Sequence, residues 1–355
     1  MVSRSGVGRG VLLLAGAALL LGLGAGYARM GWQPLTIPPA MVAEHGALMT
    51  GSFFGTLIAV ERAVALRQWW TYVPAWLCGM SLLALLAGMV SAAFFLLAVG
   101  GCGMMGVFGW LLHRYRSFPF ALMAIGAALF AATWIARALG AEYRRVLPLL
   151  MGFFVLIIVA ERLELTRFLG LERQALRWLL GLIGIVLLGI GMELFAERWQ
   201  IFGIALGSIG GWLLRYDAAL WAVRQRSASA LHRYTASMLA VGYGWLLVTM
   251  GLTVFGQGGF WYDATVHAFF VGFVFALVFA HGVMIAPAVL GRAGYAFTPF
   301  LWVPCGLAHG GLLLRLLGDV LGTPLRLWGS WLIGVGILVY GLLVVRQALQ
   351  LPRAQ

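Results

Sequence analysis

Apolar runs of about 20 residues, repeated from one end of this chain to the other, limit its possible folds more than any other feature. A helix of that length crosses the roughly 30 Å hydrocarbon layer of a bilayer, and strands do not compete at such lengths. Composition agrees. With 63% hydrophobic and only 10% charged residues, and a mean hydropathy of +0.97, the chain has more apolar surface than a soluble core absorbs. The expected fold is an all-α, polytopic membrane protein with about twelve transmembrane helices, beginning near residues 10, 41, 72, 92, 118, 146, 175, 199, 232, 262, 296 and 326.

Three of these runs spell nearly the same phrase. Phe54 to Ala65 is FGTLIAVERAVA and Phe154 to Leu165 is FVLIIVAERLEL, a shift of 161 − 61 = 100 residues. A third copy, GFVFALVFAHG from Gly272, aligns with Gly152 and places His281 where the second has Glu161. GWLLHRY from Gly109 and GWLLRYD from Gly211 repeat at a shift of 102. These intervals predict one membrane domain over 1–355, built from three four-helix repeats at 1–116, 117–228 and 229–355 in a pseudo-threefold arrangement. An even helix count makes every unit enter the membrane in the same direction.

The formal charge of +13 comes from 24 basic residues, all of them Arg. Arg62, Arg67, Arg114, Arg116, Arg162, Arg167, Arg173, Arg177, Arg215, Arg224, Arg226 and Arg233 fall at one face of the predicted topology. Far fewer, mainly Arg29, Arg137, Arg144, Arg145, Arg198 and Arg326, fall at the other. The positive-inside rule then predicts that both termini and the Arg-rich loops are cytoplasmic, in a bacterial cytoplasmic (inner) membrane. The charge orients the chain among its lipids and gives no reason to expect nucleic acid. VLLLAGAALLLGLG resembles a signal-peptide core, but AGYARM is a poor cleavage site, so this helix is expected to be retained. Cys78, Cys102 and Cys305 lie in apolar runs and predict no disulfide framework.

Gly203, Gly207 and Gly211 share a helical face at spacing four, where small residues let backbones approach. Trp32, Trp69, Trp70, Trp199, Trp261 and Trp328 fall near span ends, as in an interfacial aromatic belt. Most of the candidate chemistry rests on six histidines. His45 and His267 each lie about one turn into a span that runs outside to inside, which puts both in a layer near the outer face. Neutral imidazole ligates iron and copper, and each of the two has a carboxylate close by: Glu44 adjoins His45, and Asp263 sits one turn before His267, placed to accept the ring's other N–H and fix the tautomer. Two solvated interfacial histidines are the bland alternative.

Twelve spans, cytoplasmic termini, four-helix units and outer-layer histidines on spans two and ten together resemble the large subunit of haem-copper oxidases and nitric oxide reductases. More narrowly, HAFFVGFVFALVFAHGVMIAP from His267, LGRAGYAF and GLLLRLLGDV resemble the NnrS family of haem- and copper-containing membrane proteins linked to nitric oxide stress. The motif likeness covers residues 267 to 320 and extends to 41 to 66. The resemblance implies that His45 and His267 are the axial ligands of a haem b. An oxidase-type binuclear centre is not expected, because spans six and seven carry no histidine and span ten has His267 and His281 almost four turns apart.

Cys305 and His309 stand at i and i+4 on span eleven and combine a thiol with an imidazole, a pair that copper or zinc accepts. Arg315 is a candidate partner for a haem propionate or, equally, for Asp319. Glu61, Glu161 and His281 occupy equivalent repeat positions in an inner layer. Glu61 with Arg62 and Glu161 with Arg162 predict structural ion pairs, against a proton-uptake or ion site. His113 and His232 sit at cytoplasmic helix ends as ordinary interface residues. Two functions follow. One is a haem-binding protein of nitrogen-oxide stress or electron transfer, served by a redox partner or a small gaseous ligand. The alternative is a proton-coupled transporter using the central Glu and His residues.

Overall fold

A computed structural model describes residues 4–32, 36–166, 171–223 and 228–353. Among them there is no strand, and eleven helices are long and apolar enough to cross a membrane. The all-α polytopic membrane class is therefore observed. The remaining expected crossing, Trp199–Tyr216, is an 18-residue helix. Its glycines, and the polar Gln200 and Arg215 near its ends, make it less apolar than the other eleven. Arg167, Arg224 and Arg226 lie outside the described residues.

The chain packs as two units, Met1–Ile157 with Ala288–Gly291, and Ile158–Pro287 with Arg292–Gln355. The division falls inside a helix and does not follow the limits of the four-helix repeats. The first unit contains α1 (Arg4–Arg29), α2 (Pro39–Ala43), α3 (Thr56–Leu66), α4 (Val73–Leu86), α5 (Val90–Tyr115), α6 (Phe118–Ala138) and the start of α7 (Tyr143–Thr166). Between α2 and α3 the backbone ladder widens to the i→i−5 register of a π-helix over Ala47–Gly55. Pro74 and Pro119 open α4 and α6 in the first turn, where a missing N–H costs nothing. Arg67 and Arg116 close α3 and α5 in the left-handed conformation (φ 56° and 44°). Their charges lie at the helix ends where the peptide dipoles are negative.

The second unit holds the end of α7, then α8 (Arg173–Ala196), α9 (Trp199–Tyr216), α10 (Ala218–Val223), α11 (Ala230–Phe255) and α12 (Trp261–His267). A second π segment, Ala268–Val274, leads into α13 (Phe275–Val289), followed by α14 (Trp302–Leu321) and α15 (Leu325–Gln350). Pro287 lies inside α13 and has no N–H to give the Val283 carbonyl. That carbonyl instead accepts from the Ala296 N–H at 2.8 Å, which ties the following loop to the helix.

Close backbone approach joins α9 to α11. A side chain at Gly203 would collide with Thr253, one at Gly207 with Met250, and one at Gly210 with the Tyr243 carbonyl. Gly211, the expected third contact, meets nothing, because the approach runs along the Gly203, Gly207 and Gly210 stripe. Trp199 also departs from the expected belt: it is buried and packs edge-on against Trp261 at 5.8 Å. Trp69 and Trp328 are exposed, as belt residues should be.

The three spans carrying the repeated phrase are the most enclosed of the eleven. Ala47–Leu66, Tyr143–Leu165 and Trp261–Val289 are 67%, 94% and 72% buried over their most apolar windows, against 33–44% for the others. The phrase is thus a core signature, because apolar residues around the whole helix circumference are needed where no face meets lipid.

Gly207→Leu is expected to destabilise the protein by about 1–3 kcal/mol through overpacking against Met250. Gly211→Leu should leave stability unchanged. Thermal unfolding of the two variants in the same detergent checks the difference.

Candidate functional site

His45 lies between α2 and the first π segment, one residue from the latter. Its Nδ1–H donates to the Gly22 carbonyl of α1 at 2.8 Å. Gly26, one turn further along α1, leaves space for the ring: a Cβ there would stand 3.0 Å from Cε1. The tautomer fixed this way places the lone pair on Nε2. Glu44, the adjoining carboxylate, bonds two residues of later helices. Its carboxylate receives the Tyr143 hydroxyl at 2.6 Å and Arg137 Nη2 at 3.2 Å. The Arg137 guanidinium lies over the Tyr143 ring at 4.0 Å and the Phe94 ring at 4.9 Å. An arginine bound by both a carboxylate and aromatic faces is held firmly, which braces the turn that carries His45.

His267 ends α12 in a comparable setting. Its Nδ1–H donates to the Asp263 carbonyl at 2.8 Å, and the Asp263 carboxylate stands 3.4 Å from the same nitrogen. That carboxylate is anchored by Arg315 Nη2 at 2.7 Å and Arg326 Nη2 at 3.3 Å. Arg315 also donates to the Ser330 hydroxyl. Asp319 is met by Arg326 Nε at 2.7 Å, and the Arg326 guanidinium lies over Phe260 at 4.3 Å. Two guanidinium groups face two carboxylates, so the charges in this layer balance.

In the inner layer, Arg162 is buried and grips Asp217 with two hydrogen bonds, Nε to Oδ2 at 2.7 Å and Nη2 to Oδ1 at 2.8 Å. Tyr243 donates its hydroxyl to Oδ2 at 2.6 Å, and the Ala219 N–H reaches Oδ1 at 2.8 Å. Arg162's direct partner is therefore Asp217, with Glu161 adding electrostatic attraction. Asp217 drew no attention in the sequence because it follows α9, 55 residues away. His281 lies within electrostatic reach of both Arg162 and Asp217. Glu61 belongs to the first unit, next to Arg62, whose guanidinium lies over the Phe108 ring at 6.0 Å.

Over residues 9–349 the chain matches the family described as Domain of unknown function (DUF8744). It belongs to that family. No curated protein and no solved structure matches it.

Elsewhere in this DUF8744 chain, Cys305 and His309 do share a face of α14, but their surroundings differ from those of a metal centre. The Cys305 thiol pairs with the Tyr234 hydroxyl at 3.2 Å. The His309 ring stacks on Trp245 (6.4 Å, 21°) and meets the edge of Phe279 (5.8 Å, 86°). Among the described residues neither ring nitrogen of His309 has a hydrogen-bond partner, and no group of three or more His, Cys, Asp or Glu gathers as a metal site would require. His113 is exposed, and His232 bonds Ser229 at the start of α11. Both are helix-end residues, as expected.

Two predictions follow from this geometry. Asp217→Asn leaves a buried guanidinium uncompensated and is expected to cost roughly 3–5 kcal/mol. Burial alone would raise the Asp217 carboxyl, but the hydrogen bonds and charge of Arg162, with the Tyr243 hydroxyl, outweigh it and hold the group below the usual carboxylate range. The pair's contribution is therefore complete above about pH 4 and is lost as pH falls further; unfolding midpoints measured from pH 6 down to pH 3 check the sign. Second, Gly26→Leu should push the His45 ring off the Gly22 carbonyl, whereas Gly16→Leu, which meets nothing, should not. The nitrogen resonances of ¹⁵N-histidine-labelled protein report this as loss of the protonated Nδ1 signal in the first variant alone.

Proposed function

We propose that this multi-pass membrane protein binds haem through His45 and His267 and serves electron transfer or the response to nitric oxide in a bacterial cytoplasmic membrane. The observation that carries this reading is the shared setting of the two imidazoles. In each, Nδ1 is committed to a backbone carbonyl, so Nε2 holds the lone pair that iron requires. Metal-ligating histidines are oriented by such a bond to the far nitrogen. Each also sits on a turn braced by a carboxylate–arginine pair, Glu44 with Arg137 and Asp263 with Arg315. The likeness of residues 267 to 320 to the NnrS family supports the same reading.

Bound haem would supply a one-electron couple and, with one imidazole displaced, a place for a small gaseous ligand such as nitric oxide. The protein's part is to present the nitrogens, fix their tautomers and keep water from the surrounding layer. Arg315 bonds Asp263 and Ser330 and so holds the carboxylate beside His267, the place from which the proposed propionate contact would be made. Cys305 and His309 offer two donors, one of them already paired with Tyr234, and do not fit a copper centre. We therefore propose haem alone.

Purified protein supplied with haem during expression is expected to show a low-spin b-type reduced-minus-oxidised difference spectrum. His45→Ala and His267→Ala should each abolish or shift the band, and Cys305→Ala should leave it unchanged. Absence of any band from the parent protein overturns the proposal. A band unaltered in both histidine variants overturns the ligand assignment.

A further inference from the structure

The two π segments occupy matching places, each close behind one of the two histidines: Ala47–Gly55 with only Gly46 between it and His45, and Ala268–Val274 directly after His267. Long i→i−5 stretches are rare, because most π geometry in proteins is confined to single turns. The third helix bearing the repeated phrase, α7, is α-helical throughout and has Arg145, not histidine, at 45 + 100 = 145. Among these three helices, the widened ladder occurs only where a histidine precedes it.

The packing of the two segments also matches. Each contains a glycine that seats a tryptophan from a neighbouring helix of its own unit. A Cβ at Gly51 would stand 2.9 Å from Trp134, and one at Gly272 would stand 2.5 Å from Trp245. The first segment is held before it and along its second half. Upstream, His45 is bonded to Gly22. Within the second half, Ser52 bonds Ser81 at 2.6 Å and gives its carbonyl to the Thr56 hydroxyl at 2.6 Å, and Gly55 packs against Phe130 and Cys78; beyond it, Thr56 lies against Gly79. The segment cannot tighten to an α-helix without turning one flank against its contacts, by about 100° for each residue absorbed.

We infer that the two π segments are matched positioning elements, each setting the rotation of the histidine before it against the half-helix after it. That these positions serve ligands rests on the haem reading; the rotation itself does not.

The test removes Met49 from the first segment in a chain whose three cysteines are replaced by alanine. Two engineered pairs report position through a short thiol cross-linker: Gly26→Cys with His45→Cys for the upstream flank, and Thr56→Cys with Gly79→Cys for the downstream flank. Met49→Ala, which shortens the side chain and keeps the register, is the control. The deletion is expected to keep both cross-links, because removing one residue lets the widened ladder tighten to an α-helix with both flanks in place, and Met49→Ala also keeps both. Loss of the upstream cross-link in the deletion, the result for a plain α-helix turned about 100° by a missing residue, overturns the inference, as does its loss in Met49→Ala or loss of the downstream cross-link in the deletion. None of these readouts needs haem. In the chain with His45 intact, the Met49 deletion and Met49→Ala should both retain the b-type band, so failure of the haem reading is seen separately.

Discussion

Within a hydrocarbon layer a polar group finds its partner inside the protein or costs several kcal/mol, and the rest of this structure follows from that constraint. The backbone meets it by becoming helical almost everywhere. The few charged side chains meet it by pairing. Arg162 and Asp217 are the clearest case: a fork of two hydrogen bonds, completed by a tyrosine hydroxyl and a backbone N–H, saturates the carboxylate. The same contacts fix the start of α10 relative to α7 and α11, so one electrostatic requirement also locates three elements.

The settings of His45 and His267 obey the same rule. In both units an arginine holds a carboxylate on the turn that carries a histidine, and the imidazole gives one nitrogen to a backbone carbonyl. Neutralising the charges locally lets a neutral imidazole keep a basic nitrogen in apolar surroundings. His309 shows the contrast: its ring is packed between the face of Trp245 and the edge of Phe279, with both nitrogens unpartnered among the described residues, an arrangement ruled by shape.

Much of the fold was legible in the chain because hydrophobic length and helical crossing are tied by one physical scale, the bilayer thickness. The recurrent phrase falls on the three most enclosed of the eleven spans, since an all-round apolar surface is stable only away from water and needs no lipid-facing side. The site was legible in part. His45 and His267 could be singled out from position alone, but their oriented tautomers could not, because the accepting carbonyls depend on helix packing and local turn geometry. Asp217, Arg137 and Tyr143 went unnoticed as partners for the same reason: each meets its counterpart across tens of residues of sequence, as Arg326 does Asp263. Gly210 took the place expected for Gly211 because the line of helix contact follows the crossing of α9 and α11, not a spacing of four.

Sequence by itself determined that the chain is a helical membrane protein, which residues are costly to bury, and which positions recur. Those properties are local, set by side-chain transfer energies and chain length. Tertiary structure alone decided which arginine neutralises which carboxylate, which nitrogen of each histidine is left to act, and where the ladder widens to π. Those outcomes depend on distances of a few ångströms between helices remote in sequence, and short-range hydrogen bonding has no counterpart in composition or periodicity.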